Sequence, residues 1–181
     1  MFLQLGTTTD YDKEIAPFLR NGIILDTSVL WEIIDGLVTT RIGKHTHLQY
    51  DMILRFLDRI KVTNQWGRFY ITPHILTETA HHLRNAYHRR DDYKKIVEEI
   101  MPILKILGEY NASKNEFIGR IDFTNPIIEA GDISIFVVAD EFLKRQEKIA
   151  ILSNDNGINE KYQDNSRIMI MDYRSAILNA L

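Results

Sequence analysis

Cysteine is absent from this chain of 181 residues. Its absence excludes disulfide bonds, cysteine-ligated zinc sites and thiol catalysis, and it fits a reducing, cytoplasmic location. Long apolar runs are also missing, since no stretch approaches the roughly 20 apolar residues of a membrane-spanning helix. The N-terminal Met-Phe-Leu-Gln-Leu-Gly lacks the basic start of a signal peptide. We therefore expect a chain with no membrane partner.

Neither sign of charge is in large excess. Lysine and arginine number 22, aspartate and glutamate number 25, and the formal net charge is −3. Nucleic-acid binding would therefore need a local basic patch rather than a whole-protein attraction. The sequence also lacks a Gly-x-x-x-x-Gly-Lys-Ser/Thr phosphate loop, a Gly-x-Gly-x-x-Gly dinucleotide turn and a Gly-x-Ser-x-Gly nucleophile elbow. These absences exclude three common classes of enzyme.

Short apolar runs alternate with helical patterns along the chain, which predicts an α/β domain with a mainly parallel sheet of four to five strands. The predicted strands are 22–26, 68–72, 148–153, 167–171 and, as a short fifth candidate, 120–123. Thr72-Pro73 combines an N-cap residue with proline at the first helical position, so a helix is expected to begin there. We predict one domain over residues 1–181, with an N-terminal extension at 1–20. A helical insertion is expected at 91–110, kinked or broken at Pro102.

Four acidic residues stand where apolar runs end or begin. Asp26 follows Gly-Ile-Ile-Leu, Glu78 lies just beyond Phe-Tyr-Ile-Thr-Pro, and Asp155 follows Ile-Ala-Ile-Leu-Ser-Asn. Asp132 follows Gly131 at the start of an apolar helical pattern. Because the carboxyl ends of parallel strands share one edge of the sheet, we expect these acids to meet in one pocket. Carboxylates gathered without basic partners repel each other, which favours a bound divalent cation.

Each acid also has a purely structural interpretation. Asp26 and Asp155 resemble turn formers, Glu78 a solvated helical carboxylate, and Asp132 an N-cap. Independent capping does not predict that all four fall on the same sheet edge, so their joint pattern favours a metal site. Oxygen-only ligands favour Mg²⁺ or Mn²⁺ over zinc, and two such ions can activate water for phosphodiester cleavage.

The order of these motifs resembles that of the PIN-domain nucleases. The resemblance rests on Ile24 to Leu30, Thr77-Glu78, Gly131-Asp132 and Leu152 to Asp155, and it runs from about residue 22 to 171. It implies a three-layer α/β/α sandwich and a divalent-metal-dependent endoribonuclease, either a toxin-type or an RNA-processing enzyme. For a toxin it also implies a cognate antitoxin, and another protein partner or a homodimer is an open alternative.

The resemblance assigns roles to individual residues. It makes Asp26, Glu78, Asp132 and Asp155 the catalytic, metal-binding acids, with one or two ions of Mg²⁺ or Mn²⁺ as cofactor. Glu129 and Asp140 are alternative ligands near the third acid. Substrate contacts are expected from the residues beside the first and last acids, namely Thr27, Ser28, Ser153 and Asn154.

A basic stretch from residue 81 to residue 95 holds five Lys or Arg residues. Arg84, Arg89 and Arg90 are candidates for phosphate contacts that guide RNA toward the acids, with a solvated helix face as the alternative interpretation. Tyr87 and Tyr93 are candidates for base stacking, and core packing explains them equally well.

Other functions stay open beside the nuclease. One is a catalytically inactive PIN-like module that binds RNA or protein. A second is a haloacid-dehalogenase-like phosphatase, although Ser28 occupies the second position of the Asp-x-Asp signature of those enzymes. A histidine zinc site is less favoured than the carboxylate site, because His74, His81, His82 and His88 include no His-x-x-x-His pair.

Overall fold

The computed structural model describes residues 14–40, 47–121 and 130–178. Within them the strands form one sheet: β1 (Ile23–Leu25), β2 (Phe69–Ile71), β3 (Gly108–Glu109), β4 (Ile149–Leu152) and β5 (Ile168–Met171). The strand order is β3-β2-β1-β4-β5, and every neighbouring pair is parallel. The predicted α/β fold is confirmed.

Helices flank this sheet in an arrangement consistent with a three-layer α/β/α sandwich. They are α1 (Ala16–Leu19), α2 (Thr27–Val38), α3 (Leu48–Arg59), α4 (Pro73–Tyr87), α5 (Tyr93–Ile106), α6 (Lys114–Ile118), α7 (Ala130–Lys144), α8 (Asn156–Tyr162) and α9 (Tyr173–Leu178). The central strands β1 and β4 are buried at every position, as expected for strands covered on both faces. None of the helices in the described ranges is long and apolar enough to cross a lipid bilayer.

The start of α4 confirms the prediction made from Thr72-Pro73. The Thr72 hydroxyl accepts a hydrogen bond from the Ile75 amide at 3.3 Å, and Pro73 occupies the first helical position, where no amide is needed. The same hydroxyl lies 2.6 Å from Ser134 Oγ, and Ser134 donates in turn to the Gly131 carbonyl at 2.6 Å. The beginning of α4 is therefore hydrogen-bonded to the first turn of α7.

The segment 91–110 differs from the predicted helical insertion. α5 continues through Pro102 without a break and leads into β3, so the segment supplies the edge strand of the sheet. Pro102 is exposed, and water can hydrogen-bond the carbonyl that loses its amide partner there. The sequence missed β3 because its two residues, Gly108 and Glu109, carry no apolar run. The predicted short strand at 120–123 is wrong for Arg120 and Ile121, and residues 122 and 123 lie outside the described ranges.

The chain order of the strands decides where a ligand would bind. From β1 the chain moves outward through β2 to β3, and then returns to the other side of β1 for β4 and β5. The direction of winding thus reverses between β1 and β4, and open α/β sheets bind ligands in the crevice outside the carboxyl ends of such strands. Asp26 directly follows β1, and Ser153, Asn154 and Asp155 directly follow β4.

Candidate active site

A cavity of about 410 Å³ opens at this crevice. It brings together all four acids that the sequence singled out, from four separate places in the chain, together with three of the four residues beside the first and last acids that were predicted to contact substrate. The residues that line it are Asp26, Thr27, Ser28, Trp31, Glu78, His82, Asp132, Asn154, Asp155 and Arg174. The fourth of these residues, Ser153, is buried and donates a hydrogen bond to Asp26.

Asp26 is the most deeply buried of these acids, with 4% of its surface exposed. It occupies the N-cap position of α2, yet its side chain makes no capping hydrogen bond. Instead, its Oδ2 accepts hydrogen bonds from Ser153 Oγ at 2.8 Å and Ser28 Oγ at 2.9 Å. Burial raises the pKa of the Asp26 carboxyl, the hydroxyl hydrogen bonds oppose that rise, and the charge of Asp155 adds to it.

Glu78 is held by two donors from other helices. Thr27 Oγ1 donates to its Oε2 at 2.7 Å, and the Gly131 amide donates to its Oε1 at 2.9 Å. A Cβ added at Gly131 would lie 2.6 Å from Glu78 Oε2 and 2.9 Å from Thr27 Oγ1, so only glycine allows this close approach. The solvated-carboxylate interpretation of Glu78 is therefore wrong, because the side chain is fixed where α2, α4 and α7 meet.

The two remaining acids differ from each other. Asp155 caps α8, since its Oδ1 accepts from the Ile158 amide at 3.0 Å, and its own amide donates to Ser153 Oγ at 2.9 Å. The Ser153 hydroxyl thus joins the backbone of Asp155 to the carboxylate of Asp26. Asp132 is half-buried in the first turn of α7, which begins at Ala130, so it is not the N-cap of that helix.

Asn154 and Arg174 add polar groups to the cavity. Both side-chain atoms of Asn154 are buried, and within the described ranges neither Oδ1 nor Nδ2 has a hydrogen-bond partner. Arg174 enters from α9, after β5, and its guanidinium is paired with Glu32 Oε1 at 2.7 Å. The basic side chain at this pocket therefore already has an acidic partner outside the four acids.

We compared the chain with family models, with curated proteins and with solved structures. None of the three comparisons gives a match. The PIN-domain resemblance therefore stays a prediction.

The donor chemistry of the pocket fits Mg²⁺ or Mn²⁺. Its acids supply carboxylate oxygens, and the buried Asp26 carboxyl lacks a basic partner among the groups that shift its pKa. The positions of these side chains do not form a finished metal site, however. The described ranges contain no group of three or more His, Asp or Glu side chains placed to hold a metal ion. The carboxylates are held by hydroxyl and amide donors instead.

The other residues predicted to act at the site lie elsewhere. Arg84 is six residues beyond Glu78 on α4, a rise of about 9 Å along the axis, and Arg89 and Arg90 follow the end of that helix. Arg90 pairs with Asp92 through two hydrogen bonds of 2.8 and 2.9 Å. Asp140, an alternative ligand, instead contacts Arg120 at 2.7 Å and accepts from the Tyr162 hydroxyl at 3.0 Å, and Glu129 lies outside the described residues.

Sequence reasoning missed three residues that line the pocket, Trp31, His82 and Arg174. Helical spacing carries a signal for two of them, because Trp31 lies four residues after Thr27 and His82 four residues after Glu78. Arg174 comes two residues after the end of β5, whose carboxyl end lies at the same sheet edge. Helical spacing from Thr27 and Glu78 would therefore have pointed to Trp31 and His82, and the strand-end rule that grouped the acids would have pointed to Arg174.

Proposed function

We propose that this chain is a divalent-metal-dependent endoribonuclease that hydrolyses phosphodiester bonds of RNA. The observation that supports the proposal is the meeting of Asp26, Glu78, Asp132 and Asp155 in one cavity at the crevice between β1 and β4. The four acids come from four places in the chain: Asp26 is buried, Glu78 and Asp132 are half-buried, and Asp155 is exposed. Carboxylates gathered in this way repel each other, and a bound cation would relieve that repulsion.

In this proposal Asp26, Glu78, Asp132 and Asp155 hold one or two ions of Mg²⁺ or Mn²⁺. Such ions activate water and stabilise the leaving oxygen in phosphodiester hydrolysis. The protein orients the acids: Ser28 and Ser153 hold the Asp26 carboxylate, while Thr27 and the Gly131 amide hold that of Glu78.

The reaction balances as a hydrolysis. The oxygen of one water forms a bond to phosphorus, the bond from phosphorus to one ribose oxygen breaks, and a proton from that water ends on the leaving oxygen. Neither an oxidant nor a second organic substrate is needed. RNA is thus the proposed partner, and a protein partner such as an antitoxin stays a prediction.

The direct test is Asp26→Asn, which removes the charge and keeps the size of the side chain. We expect Mn²⁺-dependent cleavage of an end-labelled single-stranded RNA to fall by at least about 100-fold, the upper end of what losing a group that only supports a metal ligand costs. Asp58→Asn, on the exposed surface of α3, serves as the matched control and should cleave normally. Unchanged cleavage by Asp26→Asn would remove the basis of the proposal.

One observation favours a second candidate, an inactive RNA- or protein-binding module. The described ranges lack a preformed group of three metal-ligating side chains, and Asp155 already serves as a helix cap. That candidate predicts RNA binding that does not change on chelation, together with no cleavage of any RNA tested. Chelator-sensitive cleavage would exclude it.

A further inference from the structure

Two aromatic rings stand at the same cavity as the acids. Trp31 and His82 both line it, and their ring centroids are 5.7 Å apart with an angle of 37° between the planes. They come from different helices, α2 and α4, each one helical turn beyond a residue that shapes the acidic site. The pair is therefore fixed to the same two helices that fix Asp26, Thr27 and Glu78.

The indole of Trp31 also contacts a second aromatic ring. The ring of Tyr87 lies 6.2 Å from it, and the Tyr87 hydroxyl donates to Asp35. Asp35 is also contacted by His47 Nε2 at 2.9 Å. Tyr87, a candidate for base stacking on sequence grounds, is 9% exposed and packs beside Trp31.

Core packing accounts for only part of the position of this pair. Trp31 is half-buried rather than buried, and His82 is exposed on a face of α4 that is turned to a polar cavity. Trp31 packs partly against the core, while its neighbours on α2, Leu30 and Ile33, are fully covered. Because a tryptophan is seldom fully buried, its partial exposure alone assigns no role, but here the exposed part lies beside an imidazole at the wall of the acidic cavity. A flat ligand that stacks on the rings explains their position.

We propose that Trp31 and His82 form a stacking site for an unpaired base of single-stranded RNA, next to the phosphodiester that the acids cleave. The assignment rests on the proposed function for the identity of the ligand. Every base has an aromatic face that can stack on such side chains, whereas the bases of a duplex are already stacked on each other. The site therefore selects single-stranded over double-stranded RNA and tolerates many sequences.

The chain offers a clean optical probe, because it has only two tryptophans. Trp66→Phe removes the one that lies in the short 3₁₀-helix Trp66–Arg68, where it packs beside Phe69, and leaves Trp31 as the only fluorophore of its kind. With chelator present, titration with adenosine should quench Trp31 fluorescence in a saturable way. Ribose, which has no base, should not.

His82→Ala in the same background tests the second ring without disturbing the core, since His82 is exposed. We expect its dissociation constant for adenosine to rise about 5- to 150-fold, the range that the loss of one stacking partner produces. His81→Ala, the neighbouring histidine that does not line the cavity, is the matched control and should bind as the parent does. An unlabelled single-stranded RNA of about eight nucleotides should compete with adenosine for the site. The same RNA annealed into a duplex should not compete.

The outcomes separate this inference from the proposed function. If adenosine quenches Trp31 fluorescence, His82→Ala weakens that quenching and the parent cleaves no RNA, the stacking site is supported and the nuclease proposal is overturned. Cleavage together with absent quenching, or with equal adenosine binding by His82→Ala and the parent, overturns the stacking site and leaves the nuclease standing. Equal quenching of Trp31 fluorescence by ribose and by adenosine also overturns the stacking site.

Discussion

At the scale of single residues, Asp26 is an acid whose burial destabilises the fold. A carboxyl group with a raised pKa holds its proton more tightly in the folded chain than in the unfolded one. Below the unfolded pKa of 3.8 both states are protonated and no penalty arises. As pH rises through that value the unfolded chain ionises first, so the penalty grows and is complete above the folded pKa.

Asp26→Asn should therefore stabilise the metal-free protein at neutral pH. We expect a rise in Tm of at least about 2 °C at pH 7, the shift that about 1 kcal/mol produces in a domain of this size. The difference from the parent should shrink as pH falls toward 4, because the parent then gains its proton. Thermal unfolding in chelator, followed by circular dichroism across this pH range, measures both effects. A loss of Tm that is independent of pH would mean that the carboxylate is structural.

Residue types near strand ends allowed much of the pocket to be predicted, but not its hydrogen bonds. The position of Asp26 after a buried apolar run placed it at the ligand-binding edge, and the same rule applied to Asp155. That Asp155 also caps α8 while Asp26 does not cap α2 depends on backbone angles and on the reach of Ser28 and Ser153. Such contacts arise from tertiary packing, which a single sequence does not encode locally.

At the scale of elements, the site depends on how closely α7 approaches α2 and α4. Gly131 is the point of contact, since its amide donates to Glu78 and its missing side chain leaves room for Thr27. The same first turn of α7 is tied to the start of α4 through Ser134 and Thr72. These contacts connect sequence-distant helices, so helical periodicity predicted each helix but not the junction.

Gly131→Ala tests this junction. Alanine ordinarily stabilises a helix by up to about 1 kcal/mol relative to glycine. Here its Cβ would lie too close to both the Glu78 carboxylate and the Thr27 hydroxyl, so these groups must shift and the helical gain is offset. We therefore expect Tm to change little while RNA cleavage falls about 10- to 100-fold, as when a supporting contact of a metal ligand is lost. Both quantities are measured on the same preparation.

Gly67→Ala is the matched control for this substitution. The nearest heavy atom to a Cβ at Gly67 is Ile106 Cγ2 at 3.7 Å, an ordinary contact, and the residue precedes β2, whereas the cavity lies at the carboxyl ends of the strands. It should cleave RNA at the parent rate. If Gly131→Ala also did so, the close approach of α7 would have no role in positioning Glu78.

At the scale of the whole molecule, the topology of the sheet explains why residues 26, 78, 132 and 155 meet. Winding reverses between β1 and β4, so the loops after these strands diverge and leave a crevice at their carboxyl ends. The alternation of strands and helices predicted this parallel sheet. The edge strand β3 was not predicted, because a pair of residues without apolar character forms a strand only where β2 already offers hydrogen-bonding groups.

A cation that neutralises this crevice should stabilise the entire fold. A ligand at 100 times its Kd that binds only the native state adds about 2.7 kcal/mol, which corresponds to a rise in Tm of roughly 5–11 °C for a domain of this size. We expect Mn²⁺ to produce such a rise at pH 7, and a smaller one at pH values where Asp26 keeps its proton. Differential scanning calorimetry with Mn²⁺ and with excess chelator measures the shift.

The variants decide whether the stabilisation comes from the crevice. Asp26→Asn should be more stable than the parent in chelator but should gain little from Mn²⁺, so the order of the two Tm values should reverse when the ion is added. Asp58→Asn should respond to Mn²⁺ as the parent does. An equal response of the parent and Asp26→Asn would place the ion elsewhere on the surface, and the gathering of four carboxylates would then need a cause other than metal binding.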